Sequence, residues 1–254
     1  MQNIYIEDKN LSFAWVKAFL ETINSSGGEI SPLIVKVNGF NDGKAYEDNR
    51  IRELINNHKK LKNKFNISKD YIETVAGTIF PQSLWNKNKE RSVLYDRFRK
   101  IYPLMKKIRA NWFGMYFNRL ISFDNGDKKP IRQLEKIICA GIKNTRRSAL
   151  QAAIFDPRKD HRITNRQLGF PCLQQIAFTA VGEQGLRITG FYAKQLIFEK
   201  AYGNYLGLSR LGDFMAKEMG LRLKEMLCIA SVASYAKCSK QDLKPLEFQL
   251  QKII

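Results

Sequence analysis

The feature that most constrains the fold is a pair of apolar segments in the second half of the chain. Residues 171 to 181 and 186 to 192 have the composition of strands, and a turn containing Gly182 joins them. Both segments are apolar on both faces, which is typical of strands that lie inside a covered sheet. A helical pattern over residues 201 to 219 follows and ends at Gly220. The order predicts an α/β (α+β) protein with a mixed β-sheet covered by helices.

The rest of the chain alternates in the same way. Apolar spacing predicts helices over residues 11 to 24, 47 to 62, 68 to 80, 92 to 117 and 131 to 143. Further strands are predicted over residues 32 to 37, 148 to 154 and 226 to 232. No internal repeat and no linker interrupts this order, so residues 1 to 254 are predicted to form a single domain.

The charge is strongly positive. The net charge is +19, from 43 Lys and Arg residues against 24 Asp and Glu residues, and this excess indicates an anionic partner. Nucleotide phosphates, a polyanionic cofactor and nucleic acid all satisfy that requirement. Between residues 87 and 109, nine basic residues are interrupted only by Glu90 and Asp96. A solvated helix face is the simpler explanation of this basic stretch, and a nucleic-acid contact is the other.

The cysteines and the N-terminus bear on the compartment. No stretch reaches eighteen uncharged apolar residues, and the first residues lack a basic start followed by an apolar core. We therefore expect a cytoplasmic protein without a membrane contact. The four cysteines have no CxxC spacing and lie far in sequence from both histidines, so we expect neither a metal site nor a disulfide framework. Each cysteine is then either a small buried hydrophobe or a reactive thiol.

Cys172 follows Pro171 at the start of the apolar strand, within residues 166 to 174. This placement resembles the nucleophile motif of thymidylate synthases and pyrimidine-nucleotide hydroxymethylases. Three further blocks resemble the same family and occur in its order over most of the chain. They are Glu73-Thr74-Val75-Ala76-Gly77-Thr78-Ile79-Phe80-Pro81, then Arg146-Arg147, and after Cys172 the block Ala201-Tyr202-Gly203-Asn204-Tyr205-Leu206-Gly207-Leu208. The resemblance implies a thymidylate synthase-like fold and a homodimer that associates sheet to sheet.

The resemblance also implies a chemistry for Cys172. A thiolate that adds to C6 of a pyrimidine makes C5 enolate-like, so that C5 attacks a one-carbon unit carried by methylenetetrahydrofolate. Arg146 and Arg147 are expected to cross the dimer interface and hold the phosphate of the neighbouring subunit's nucleotide. Asn204 is expected to hydrogen-bond the pyrimidine edge, and its amide suits a uracil.

Four further residues receive roles from the resemblance. Glu73 is a candidate proton relay to the pyrimidine carbonyl, and Trp85 is a candidate for lining a folate site. Tyr235 is a candidate contact to the nucleotide sugar. Lys194 is a candidate phosphate ligand, since the chain departs from the family there: Ala193, Lys194 and Leu196 stand where the family has arginine, serine and aspartate.

Each of these residues also has a structural explanation. A cysteine at position 172 also serves as a small buried side chain, the arginine pair as solvated surface, and Asn204 as a local backbone cap. Trp85 suits core or interface packing equally well. Two functions follow: a transferase acting at C5 of a pyrimidine nucleotide, or a catalytically degenerate homologue. The second would bind nucleotide or nucleic acid within a larger assembly through the basic surface.

Overall fold

The computed structural model describes residues 3–58, 70–108, 111–112, 114–143, 146–161, 171–235 and 238–254. Its main sheet has six strands in the order β1-β3-β10-β8-β7-β6. Their bounds are β1 Ile4–Asp8, β3 Leu33–Val37, β6 Gln151–Ala153, β7 Leu173–Val181, β8 Gly185–Tyr192 and β10 Arg222–Ala230. The pairs β1/β3 and β8/β10 are parallel, and the other neighbours are antiparallel. The predicted mixed sheet is confirmed.

Two smaller sheets lie beside it. One contains β2 (Glu29–Ile30), β11 (Ala233–Ser234) and β9 (Gln195–Leu196), and the other pairs β4 (Phe40–Asn41) with β5 (Lys44–Ala45). The strand β11 runs parallel to β9, which directly follows β8. The small sheet therefore extends the end of the main sheet at which β8 and β10 finish.

The described helices have the following bounds: α1 Leu11–Asn24, α2 Asn49–Asn57, α3 Tyr71–Ile79, α4 Arg91–Met105, α5 Tyr116–Ile121, α6 Gln133–Ile142, α7 Pro157–Asp160, α8 Tyr202–Glu218 and α9 Lys240–Gln251. Polar caps explain several of their starts. Asn10 accepts hydrogen bonds from the backbone of Ser12 and Phe13 at the start of α1, and Ser239 accepts one from Asp242 at the start of α9. None of the helices in the described part of the chain is long and apolar enough to cross a membrane.

Helices cover one face of the main sheet, and α8 makes the closest approach. A Cβ at Gly190 of β8 would lie 2.7 Å from the Leu208 side chain, and one at Gly212 of α8 would lie 2.9 Å from Ile188. Glycine at these positions lets the helix and the strand come together more closely than larger residues would allow. The residues of β8 that face α8 are buried, and they belong to one continuous hydrophobic core.

No described helix covers the other face of the sheet, which is called the open face. Lys36 lies 3.0 Å from Glu7 and 3.3 Å from Glu225, which also pairs with Arg187, so charges run across four strands. The next row of side chains is more apolar and includes the partly exposed Ile34, Ile229 and Phe191, which the strand register places side by side. The prediction that the strands lie inside a covered sheet therefore holds for one face, whereas the other face carries a charged row and an apolar row in the described part of the chain.

One prediction about the elements needs correction, and two elements were not predicted. The single helix predicted over residues 92 to 117 is wrong, because α4 ends at Met105 and α5 begins at Tyr116. Gly114 has a φ of 120°, which a helix does not contain and which favours glycine. The sequence reading also missed β1 and α9. The helix predicted over residues 47 to 62 is confirmed as far as Asn57, and its remainder reaches into residues outside the described ranges.

Candidate functional site

Cys172 lies directly before β7, and the residue is exposed. Its carbonyl oxygen accepts a hydrogen bond from the backbone N–H of Ala193 at 3.0 Å and one from the Gln174 side-chain amide at 3.2 Å. The same amide donates to the carbonyl of Pro171 at 2.7 Å. These bonds tie the start of β7 to the end of β8, so the backbone that carries the thiol is held in place by two neighbouring strands.

Two tyrosines lie close to Cys172. The backbone N–H groups of Cys172 and Leu173 donate hydrogen bonds to the phenol oxygen of Tyr116, and burial raises the pKa of Tyr116 above its ordinary value. Tyr192 at the end of β8 is completely buried. Burial, followed by the nearby Cys228 thiol, raises the pKa of Tyr192 well above its ordinary value. Both phenols therefore keep their protons at neutral pH.

The Tyr192 hydroxyl group has an unusual environment. Within the described part of the chain, this buried oxygen makes no hydrogen bond. A buried hydroxyl group without a partner costs about 1–3 kcal/mol, and Tyr192 shares this feature with several other buried polar groups of the described chain. Cys172 and Tyr116 both contribute to the electrostatic field at Tyr192. A neutral hydrogen-bond donor thus lies in the surroundings of the thiol.

A cleft lies on the open face of the sheet near the start of β7, and Cys172 is not among the described residues that line it. Its volume is about 440 Å³, which is within the usual range for small-molecule sites. The described residues that line it are Ala153, Phe155, Gln174, Gln175, Phe191, Ala193 and Ser231. Gln174 and Ala193 are also the residues that bind the Cys172 carbonyl, so the cleft borders the start of β7. Among these described lining residues there is no cation that would neutralise a phosphate.

The arginine pair lies away from Cys172 in the same chain. Both arginines are exposed, and they directly precede β6 in a short turn. Because Gln151 of β6 pairs with Ala177 of the antiparallel β7, the pair is displaced toward the far end of β7. Five strand residues separate positions 172 and 177, and at about 3.3 Å per residue they span roughly 16 Å. The structure therefore does not bring Arg146 and Arg147 to the Cys172 of their own chain.

Three other candidates lie at the same end of the sheet as Cys172. Lys194 follows Ala193, and its Nζ atom lies 3.3 Å from the Glu29 carboxylate. Asn204 is buried in the first turn of α8, one turn before the residue that packs on Gly190. Tyr235 follows β11, and its ring packs so closely on Gly28 that a Cβ there would lie 2.4 Å away. The structure therefore places Lys194, Asn204 and Tyr235 at the same end of the sheet as Cys172.

Glu73 occupies a different environment. On α3 its carboxylate is bound by Arg52 of α2 and by Arg210 of α8, with the Arg210 Nη2 atom 2.7 Å from Oε1. Burial favours the neutral carboxyl group, but the hydrogen bonds from the two arginines outweigh it and lower the pKa of Glu73 to about 2. Glu73 is therefore an anion whose two oxygens both have arginine partners. Its role as a proton relay stays a prediction.

Trp85 belongs to an aromatic cluster in the core. Its ring centroid lies 5.5 Å from that of Phe80 and 5.7 Å from that of Phe214, and Lys87 lies over the ring at 5.6 Å. Phe214 is ten residues beyond Asn204 on α8, which corresponds to about 15 Å along the helix axis. The structure thus places Trp85 in core packing, near the opposite end of α8 from Asn204.

The sequence reading missed Tyr116, Tyr192 and Glu199. Glu199 is completely buried in the π-helical turn Ile197–Ala201, and its Oε1 atom accepts a hydrogen bond from the Cys238 thiol at 3.8 Å. A single carboxylate within the apolar run that precedes α8 was the available signal for Glu199. Tyr116 and Tyr192 gave no comparable signal, because buried tyrosines are common in apolar elements.

Two further questions about the site are whether it could bind a metal ion and whether the chain matches known proteins. Within the described ranges, no group of three or more His, Cys, Asp and Glu side chains is arranged to hold a metal ion. A comparison with protein-family models finds no match, and a comparison with curated proteins finds none either. The functional argument therefore depends on the geometry around Cys172.

Proposed function

We propose that this chain is a thymidylate synthase-like transferase that adds a one-carbon unit at C5 of a pyrimidine nucleotide, with Cys172 as the nucleophile. The observation that carries the proposal is the exposed Cys172, whose backbone is held by hydrogen bonds from Ala193 and Gln174 at the sheet end that also carries Asn204. The proposal includes a thymidylate synthase-like fold and a cytoplasmic homodimer. The mixed sheet with helices on one face supports the proposed fold, and its open face supports the proposed dimer.

In the proposed reaction the Cys172 thiolate attacks C6, a C–S bond forms, and the electron pair of the C5–C6 double bond moves toward the ring carbonyl. A proton at C5 then exchanges with solvent, and expulsion of the thiolate restores the double bond. Asn204 is assigned to the base edge. Tyr235 is assigned to the sugar.

Methylenetetrahydrofolate would supply the one-carbon unit, and the described residues do not fit that group well. Trp85, the residue assigned to folate by resemblance, is only 9% exposed, and Phe80, Phe214 and Lys87 all lie against its indole. It therefore offers no open ring face for stacking on a pterin. We derive no step through the folate, and the proposed chemistry of this chain is limited to activation of the pyrimidine.

The phosphate ligands are assigned to both subunits. Because Arg146 and Arg147 precede β6, whose Gln151 pairs with β7 about 16 Å along the strand from Cys172, we assign them to the site of a neighbouring copy. A sheet-to-sheet homodimer would bring them to that site by covering the open face, whose apolar row includes Ile34, Ile229 and Phe191. Lys194 would supply a further cation from the same chain as Cys172.

The activity is tested by the release of tritium from C5-labelled dUMP, dCMP and CMP. Release by the wild-type protein and its loss in Cys172→Ala are expected, because exchange at C5 requires a nucleophile at C6. The second exposed cysteine, Cys139, gives the matched control Cys139→Ala, which should release tritium at the wild-type rate. Absence of release from all three nucleotides, both free and within an oligonucleotide, would remove the enzymatic proposal.

The shared site is tested by mixing two inactive variants. Cys172→Ala and the double variant Arg146→Ala/Arg147→Ala each lack one half of the site. After dissociation and reassociation, half of the dimers carry both chains and each has one intact site, so about a quarter of the activity should return. No recovery in a mixture that forms mixed dimers would show that the arginines act within their own chain or not at all.

The second candidate function is a degenerate homologue that binds nucleotide without chemistry. The observation that favours it is that Arg52 and Arg210 both bind the Glu73 carboxylate. A carboxylate held in these ion pairs is not free to transfer protons to a substrate. Binding of labelled dUMP by wild-type protein, without tritium release, would support this function.

A further inference from the structure

The basic stretch of the sequence ends in an exposed surface that the Cys172 site does not explain. We name the exposed residues of this surface the basic helix end: Arg97, Arg99, Lys100, Leu104, Lys106, Lys107, Ile108 and Trp112. Arg99 pairs with Asp96 at 2.9 Å, and the other cations extend along α4 and the turn after it. Leu104 is 63% exposed, and Ile108 and Trp112 are each 57% exposed. A partner that carries both negative charges and flat apolar groups would bind the cations and the exposed apolar side chains of this surface.

The indole of Trp112 is held in a defined position. Its Nε1–H group donates a hydrogen bond to the Lys107 carbonyl at 3.2 Å, and the neighbouring Asn111 amide donates to the Met105 carbonyl at 3.1 Å. A tryptophan at a membrane surface uses its N–H group at the polar head-group level, whereas this N–H group is already bound by the chain. An exposed indole among lysines is instead the combination that binds single-stranded nucleic acid, by base stacking and phosphate contacts.

The basic helix end is connected to the Cys172 site through α5. Tyr116, whose phenol oxygen accepts hydrogen bonds from the backbone of Cys172 and Leu173, lies four residues after Trp112. Four residues span at most about 14 Å between Cα atoms. The inner side of α4 also packs on α5, since the ring centroids of Phe98 and Phe117 lie 4.9 Å apart. The basic helix end therefore lies on α4, which packs on α5, and α5 carries the tyrosine next to Cys172.

We propose that the substrate is a pyrimidine within a single-stranded polynucleotide, and that the basic helix end holds nucleotides flanking the reacting base. This inference rests on the proposed function of Cys172. The flanking phosphates would bind Lys100, Lys106 and Lys107, and a flanking base would stack on Trp112. A polynucleotide also compensates for the uncharged Ala193 at the position where the resemblance expects a phosphate-binding arginine, because its binding does not depend on one terminal phosphate.

Binding is tested by fluorescence anisotropy with a labelled pyrimidine oligonucleotide about 15 nucleotides long, as DNA and as RNA, over a range of salt concentrations. Lys106→Ala/Lys107→Ala should reduce the slope of log affinity against log salt by about 1.4, because each lost phosphate contact contributes about 0.7. Trp112→Ala should weaken binding about five- to one-hundredfold. The control Lys240→Ala/Lys244→Ala removes the same charge from α9, which packs against α1, and should retain the wild-type slope.

The substrate assignment is tested by tritium release from a C5-labelled oligonucleotide compared with labelled dUMP. A higher kcat/KM for the oligonucleotide, reduced by Trp112→Ala with release from dUMP unchanged, is expected. Equal or faster release from dUMP would overturn the polynucleotide assignment and leave the proposed function intact, whereas release from neither substrate would overturn both.

Whether the partner is a nucleic acid is tested separately from the chemistry by measuring binding with Cys172→Ala. This variant should bind the oligonucleotide as the wild-type protein does. Unchanged oligonucleotide binding after both changes to the basic helix end would overturn the assignment of this surface. The same result would follow if the protein bound vesicles of phosphatidylserine and phosphatidylcholine but not the oligonucleotide.

Discussion

The sequence blocks that resemble the family lie in two regions of the molecule: the contact between α3 and α8, and the sheet edge at Cys172. The two regions differ in whether their polar and reactive side chains are already bound by other residues. At the helix contact, Gly203 lies directly against Val75 and Ile72, and Glu73 closes the surface with two arginines. At the sheet edge, Cys172 is exposed at the start of β7.

The difference shows which region is available for chemistry. A carboxylate held by two guanidinium groups has little capacity left to exchange protons, and the close packing at Gly203 leaves no room for a ligand. The Cys172 edge has a fixed backbone and an accessible side chain, which is the arrangement expected of a nucleophile. Four predictions test this contrast.

The largest expected effect is on activity. Cys172→Ala should reduce C5 tritium release by more than about a thousandfold, as expected when a nucleophile is removed, while the free energy of unfolding stays close to the wild-type value because the residue is exposed. Isotope release and urea unfolding measure the two quantities. A variant that unfolds more easily, with tritium release unchanged, would assign Cys172 a structural role.

The second effect is on the helix contact. A Cβ at Gly203 would lie 2.6 Å from the Cβ of Val75 and 2.9 Å from the Ile72 carbonyl oxygen, so Gly203→Ala should reduce the free energy of unfolding by about 1–3 kcal/mol. Gly77 of α3 has no heavy atom within 4 Å of such a Cβ, and Gly77→Ala should instead stabilise the helix by about 0.5–1 kcal/mol. Urea unfolding of the two variants should give opposite signs, and equal signs would contradict the close approach at Gly203.

A smaller effect concerns the pH dependence of stability. The folded-state pKa of Glu73, about 2, is below its ordinary value of 4.5, so its contribution is complete above pH 4.5 and is lost as the pH falls toward 2. Because the side chain is 39% exposed, solvent screening limits this contribution to about 1 kcal/mol. Glu73→Gln should therefore lower stability at pH 7 and flatten its decrease below pH 4.5. The exposed Glu53 of α2 provides the control Glu53→Gln, which should keep the wild-type pH profile.

The smallest effect is on thiol labelling, with no change in stability. Burial raises the pKa of Cys228 to about 12, although the Gln195 amide lies 3.4 Å from its sulfur. In native protein, iodoacetamide should modify the exposed Cys172 and Cys139 well before Cys228 and Cys238, as peptide mass spectrometry would measure. Labelling of all four thiols in urea provides the control. Equal labelling rates for all four cysteines in native protein would contradict the exposure of Cys172 and the burial of Cys228.

Local sequence signals predicted much of the fold. The strands β7 and β8 and the turn between them were predicted, and Gly182 has a φ of 60° there. The start of α1 at Asn10 was also predicted, and its side chain caps the helix. The break between α4 and α5 was not predicted, because apolar spacing persists across it while Gly114 changes the backbone direction.

The candidate site was less predictable, since it depends on residues far apart in sequence. The partner of Glu73 on α8 is 137 residues away, so no local pattern indicates the ion pair. Trp85 similarly meets Phe214 only through tertiary packing. Placing Cys172 at the strand start required only the sequence, whereas its exposure required the fold.

The sequence by itself determined the strand pair at residues 171 to 192, several helix ends and the positive charge, because spacing, capping and composition act over a few neighbouring residues. Only the tertiary structure decided that Glu73 is bound by arginines, that Trp85 is in the core, and that Arg146 lies far along β7 from Cys172. The physical reason is that ion pairs, burial and site geometry depend on which distant elements pack together, and one segment does not contain that information.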